Sequence, residues 1–97
     1  MDDLEIYQGS VGDWCVDCFG KTTAGDVKER NWRFLEEALE LVQSLDADAD
    51  AAHQLVDYVF GRDKGEPVQE VGGVMVTLAA LTYANGISLS TSAYQEL

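Results

Sequence analysis

Positive charge is what this sequence has least of. Six Lys and Arg stand against eighteen Asp and Glu, for a net charge of −12. Nucleic acid and anionic membrane surfaces both require a basic footprint, so neither is expected as a partner. Such a balance suits a binder of cations, and equally a plain soluble acidic surface. A membrane-spanning run is also missing. The most apolar charge-free stretch, VGGVMVTLAALTYANG, falls short of the roughly 20 apolar residues a span needs and carries two adjacent glycines, two threonines and an asparagine. It is expected to form a buried core helix. The opening MDDLEIYQGS is acidic where a secretory signal needs positive charge before an apolar segment, so a cytoplasmic location is expected. Histidine and cysteine are scarce, with one His and two Cys, too few for a closed four-ligand zinc site without a carboxylate.

What remains is enough for one small globular domain spanning residues 1–97, at 46% hydrophobic residues. Periodicity points to helices throughout. In residues 10–20, SVGDWCVDCFG, positions 11, 14, 15, 18 and 19 share a helical face, and Gly20 is a suitable stop. Residues 26–45 give the longest pattern, with Asp26 as N-cap. Phe34, Leu35, Ala38, Leu39, Leu41, Val42 and Leu45 form one broad apolar arc. A third helix covers about residues 51–61, capped by Asp48 or Asp50. After the turn RDKGEP, residues 67–85 form the apolar helix, with Pro67 in the first turn and Asn85-Gly86 at its end. A last helix starts near Ser90 or Thr91. No internal repeat is apparent. The fold class is therefore all-α, a small bundle of four to five helices. The ending SAYQEL, without a closing basic turn, reads as a chain that stops before a further element.

The chemistry concentrates in carboxylates. Glu37 and Glu40 are three apart, so both lean toward one point off the helix, and Glu36 can support them. Glu70 sits on another helix at the edge of the most apolar stretch, where an unpartnered carboxylate is costly. A divalent cation would give that arrangement a purpose, because Mg²⁺ takes oxygen ligands and helix bundles build such sites from facing helices. Three glutamates opposite an apolar arc are also what any solvent-facing helix surface looks like. Cys15 and Cys18 form a C-x-x-C, yet with Trp14 and Phe19 on the same face they read as buried small apolar residues. His53 reads as a surface residue.

The segments ERNWRFLEEALELVQ and EPVQEVGGVMVTLAAL together resemble the MazG-like all-α nucleoside triphosphate pyrophosphatases. The family pattern is Glu-Glu-x-x-Glu on one helix and Glu-x-x-Asp on a later one. Glu36, Glu37 and Glu40 match the first half in full. Glu70 matches the second, and Gly73 stands where the family carries Asp. The resemblance implies hydrolysis of a nucleoside triphosphate to monophosphate and pyrophosphate, with Mg²⁺ as cofactor and assembly into a dimer or tetramer. It implies Glu37, Glu40 and Glu70 as metal ligands and Glu36 as the residue ordering water. Asp57, on the intervening helix, is the candidate replacement for the missing Asp. Arg33, Arg62 and Lys64 are the expected phosphate contacts, with Arg30 a further available cation. The alternative is a catalytically impaired module of the same fold that binds a nucleotide or a protein.

Overall fold

A computed structural model describes all residues 1–97. The chain is all-α, with five helices and no strands. In order they are α1 Asp3–Ala24, α2 Val27–Ser44, α3 Ala49–Phe60, α4 Pro67–Ala84 and α5 Leu89–Glu96. Contacts divide the chain into two units, Met1–Leu55 and Val56–Leu97, with the division inside α3.

Each helix starts where a polar side chain satisfies one of the orphan N–H groups of its first turn. Asp2 accepts from the Glu5 N–H at 2.9 Å, and Asp26 from the Glu29 N–H at 3.1 Å. Asp48 accepts from the Asp50 N–H at 2.9 Å. Glu66 caps α4 through the Gln69 N–H at 3.2 Å, with Pro67 at the first helical position. Ser88 caps α5 through the Thr91 N–H at 3.1 Å. The Asp2 cap starts the first helix at Asp3 rather than near residue 10, and Asp3 and Glu5 suit the positive end of the helix dipole. The helical run does break at Gly20, whose φ of 82° and ψ of 164° interrupt α1. The expected loop after it instead winds one more turn, closed by the Gly25 N–H on the Lys21 and Thr23 carbonyls.

The α2–α3 and α4–α5 connections are built alike. In the first, the Ala47 N–H reaches the Val42 carbonyl at 3.0 Å and the Asp46 N–H the Gln43 carbonyl at 3.0 Å. In the second, the Ile87 N–H reaches the Thr82 carbonyl at 2.9 Å and the Gly86 N–H the Tyr83 carbonyl at 3.2 Å. Both are Schellman endings, with a left-handed residue at the same place: Asp46 at φ 67° and Gly86 at φ 65°. The capping residue of the next helix follows two positions later in each. α2 and α4 are each 18 residues long and begin at 27 and 67. The chain thus carries a helix–corner–helix repeat with a period of forty residues, which the sequence reading did not find. Side-chain identities hide it, since at a spacing of forty residues Glu36, Glu37 and Glu40 correspond in sequence to Val76, Thr77 and Ala80.

Burial departs from expectation. Thr82, at 8% exposure, is the one buried residue, and its hydroxyl donates to the Leu78 and Ala79 carbonyls at 3.0 Å each. Neither unit buries an apolar side chain. The 71–86 stretch is helical as expected but is not a buried core: Val71, Val74, Met75 and Val76 of α4 are all exposed. A helix apolar on most sides is covered only by further layers, and this chain supplies none over those side chains. Trp14 and Phe19 form an edge-to-face pair with centroids 5.7 Å apart, and the Arg30 guanidinium lies 5.8 Å over the Phe19 ring. The aromatic pair lies within α1, and the cation–π contact joins α1 to the start of α2. Cys15 is half-buried, but Cys18 is exposed, and both are free thiols. The expectation that both are buried fails at Cys18. No single helix is long and apolar enough to cross a membrane, and α4 and α5 are bent by 107°.

Candidate metal centre

α2 places its carboxylates by simple helical geometry. Glu36, Glu37 and Glu40 are all exposed, but they are not equivalent. Arg33 donates from Nε to Glu29 at 3.0 Å and from a terminal nitrogen to Glu36 at 3.1 Å. Its guanidinium bridges two carboxylates, one a turn before it and one a turn after. Those two hydrogen bonds, Glu29 first, raise the Arg33 pKa above its ordinary value. Arg30 adds a looser contact to Glu29 at 3.7 Å. Glu36 is therefore charge-paired, whereas Glu37 and Glu40 make no ion pair. Arg33, expected to grip phosphate, is engaged along its own helix.

The remaining candidates lie on α3, the turn after it, and α4. Asp57 is exposed on α3. Arg62 stacks over the Tyr58 ring, 4.5 Å from its centroid. Lys64 is exposed in the turn. Glu70 lies in the first turn of α4 and bends back toward the chain before its cap, the direction in which helical side chains lean. A Cβ on Gly65 would sit 2.9 Å from Glu70 Cδ and 3.2 Å from both Cγ and Oε1. At Gly73, where the resemblance expects Asp, a Cβ would meet nothing within 4 Å.

No three or more His, Cys, Asp or Glu side chains are gathered into one metal-holding group. What the single chain offers is a pair of unpaired carboxylates on α2, with Asp57 and Glu70 on other helices. The sequence reading missed Glu29, whose claim on Arg33 was readable from its spacing of four residues. No protein-family model matches the chain, and no curated protein or solved structure matches it either.

Proposed function

We propose that this chain is the subunit of a Mg²⁺-dependent nucleoside triphosphate pyrophosphohydrolase of the MazG-like kind, acting in the cytoplasm. The observation that carries the reading is the division of labour on α2: Arg33 pairs Glu36, while Glu37 and Glu40 stand exposed and unpaired three residues apart. The unpaired pair on α2 suits Mg²⁺, which is usually held by one or two carboxylates together with waters and substrate phosphates. Glu37 and Glu40 of α2 are the residues that would hold it, and Glu70 and Asp57 are the further ligands that the resemblance suggests. When bound, the ion neutralises phosphate charge and lowers the cost of forming the attacking hydroxide.

The chain's own residues do the rest. Glu36, fixed by Arg33, is oriented to accept a hydrogen bond from a water near its free oxygen. The Arg33–Glu36 pair also limits charge repulsion along the face that must receive an anionic substrate. Arg62 and Lys64, in the turn before Glu70, supply phosphate contacts. Arg33 joins them only by giving up a carboxylate partner. The exposed apolar side chains of α2 and of α4 support assembly, because large exposed apolar surface marks an interface, and a second copy of the chain is the proposed cover.

Gly73 favours the second reading, a module that binds nucleotide or protein without turnover, since glycine offers no ligand where the family pattern has Asp. A panel of ribo- and deoxynucleoside triphosphates with Mg²⁺, its products separated by ion exchange, distinguishes the two. Monophosphate and pyrophosphate that vanish in Glu40→Gln support the enzyme. Nucleotide binding without any product supports the module.

A further inference from the structure

α4 is not equally bare on all sides. With about 3.6 residues per turn, Leu78, Leu81 and Thr82 share one side of it. That side is the covered one: Thr82 is buried and the two leucines are half-buried. Gly72, Val76, Ala79 and Tyr83 line up on the far side, and all four are exposed, Val76 at 69% and Tyr83 at 88%. Their spacings of four, three and four make a heptad seam, the pattern by which two helices pair along their length. No charged side chain lies between Glu70 and Glu96, so the seam is also free of charge.

Three observations say what covers it. The first is area. The chain exposes 8383 Å². Even as two separate compact bodies, of about 6.0 and 4.6 kDa, the units Met1–Leu55 and Val56–Leu97 would together expose only about 6,600 Å². The surplus of about 1,800 Å² per chain is more than twice the roughly 800 Å² that each partner gives to an interface of standard size. The second is length. The seam runs about 17 Å, whereas the other helical segments of its unit, residues 56–60 and α5, run about 8 and 12 Å. The third is charge. Copies carrying −12 each repel one another over most of their surface, and the seam is a stretch where two can meet with no charge opposed. A basic partner is drawn to the carboxylates of α2 instead.

We propose that α4 pairs with α4 of a second copy across the seam Gly72–Val76–Ala79–Tyr83, about a twofold axis, and that this pairing and the folding of the chain are one event. A twofold contact uses the same patch on both copies, and no core exists without it, since neither unit buries an apolar side chain. The proposal rests on the second copy named above as the cover and not on turnover, because neither metal nor nucleotide takes part in it.

The test uses the full chain as wild type, Val76→Asp and Val76→Lys, with mass read by sedimentation and helicity by circular dichroism. The wild type is expected as a dimer or an even multiple that loses mass and helicity together on dilution. Each variant alone places like charges near the axis and should associate at least about 100-fold more weakly. Refolded together from urea in equal amounts, the two should regain wild-type mass and helicity, because Asp then meets Lys across the axis. A helical wild-type monomer at every concentration overturns the proposal and shows that the chain covers its own seam. Wild-type assembly in either variant alone, or no recovery in the mixture, also overturns it. A check without variants is a co-refolded mixture of isotope-labelled and unlabelled wild type. Nuclear Overhauser contacts between copies are expected at the Val76 methyls, and their absence from the assembled protein contradicts the seam. The nucleotide panel reads turnover separately, so either reading can fail alone.

Discussion

Replacing Gly73 by Asp tests whether α4 carries a metal ligand face at all. The site is open, because a Cβ at Gly73 meets nothing within 4 Å and the backbone is helical without positive φ. Two small effects on stability oppose each other. Glycine in a helix interior costs about 1 kcal/mol relative to alanine, and aspartate roughly 0.7 kcal/mol, so the exchange gains a few tenths. The new carboxylate lies three residues from Glu70, and like charges at that spacing cost about 0.2–0.5 kcal/mol. Without metal the variant should therefore melt within about 3 °C of the wild type. With Mg²⁺ the balance changes. An added carboxylate on the same face should tighten binding on the order of tenfold, worth about 1.4 kcal/mol. At saturating Mg²⁺ that difference appears in full as stability, a rise of about 6–11 °C over the wild type for a chain of this size. Calorimetry and thermal melts with and without Mg²⁺ read both quantities. A folded variant with unchanged Mg²⁺ affinity and no metal-dependent rise would refute the assignment of Glu70 and its face to the metal.

Other outcomes follow from the same structure. If a second copy covers the exposed faces, melting depends on concentration: a tenfold dilution of a dimer removes about 1.4 kcal/mol, about 0.7 per chain, and lowers the midpoint by about 3–6 °C. A midpoint independent of concentration together with a monomeric mass by light scattering contradicts assembly. Asp46 occupies a left-handed conformation at φ 67° that glycine adopts freely. Asp46→Gly should stabilise by roughly 0.5–1 kcal/mol in urea denaturation, and a loss of stability would mean its side chain has another role. The Arg33 pairing has a defined pH window. Its folded pKa is raised, so its contribution to α2 is complete below the ordinary arginine range and disappears only as pH rises through the raised value. Deprotonation of Arg33 should therefore make no contribution to any change in α2 helicity between pH 7 and 9, and a loss there that Arg33→Lys abolishes would contradict this.

The elements were more legible in the sequence than the burial. Asp26, Pro67 and Asn85-Gly86 mark α2 and α4 to within a residue, because caps and helix stops are local chemistry. The Asp2 cap is equally local, but the apolar pattern of this helix begins only near residue 10. The forty-residue repeat was invisible because a Schellman corner accepts Asp46 as well as Gly86, so backbone geometry recurs without side-chain identity. For α4, hydrophobicity identified a face in need of cover, and no local pattern says what covers it. At the candidate site, spacing placed Glu36, Glu37 and Glu40 on one helix. The same spacing rule, applied to Glu29 and Arg33, separates the paired carboxylate from the two unpaired ones.

The central claim is that the unpaired carboxylates of α2 hold the metal. Titration of Mg²⁺ into the wild type and into Glu37→Gln, each with a non-hydrolysable nucleoside triphosphate at a concentration where the chain is assembled, tests it most directly. The account predicts one Mg²⁺-dependent binding event in the wild type, weakened at least tenfold in Glu37→Gln with helicity unchanged. Equal affinity in the two proteins, or no Mg²⁺ binding in either, would contradict it.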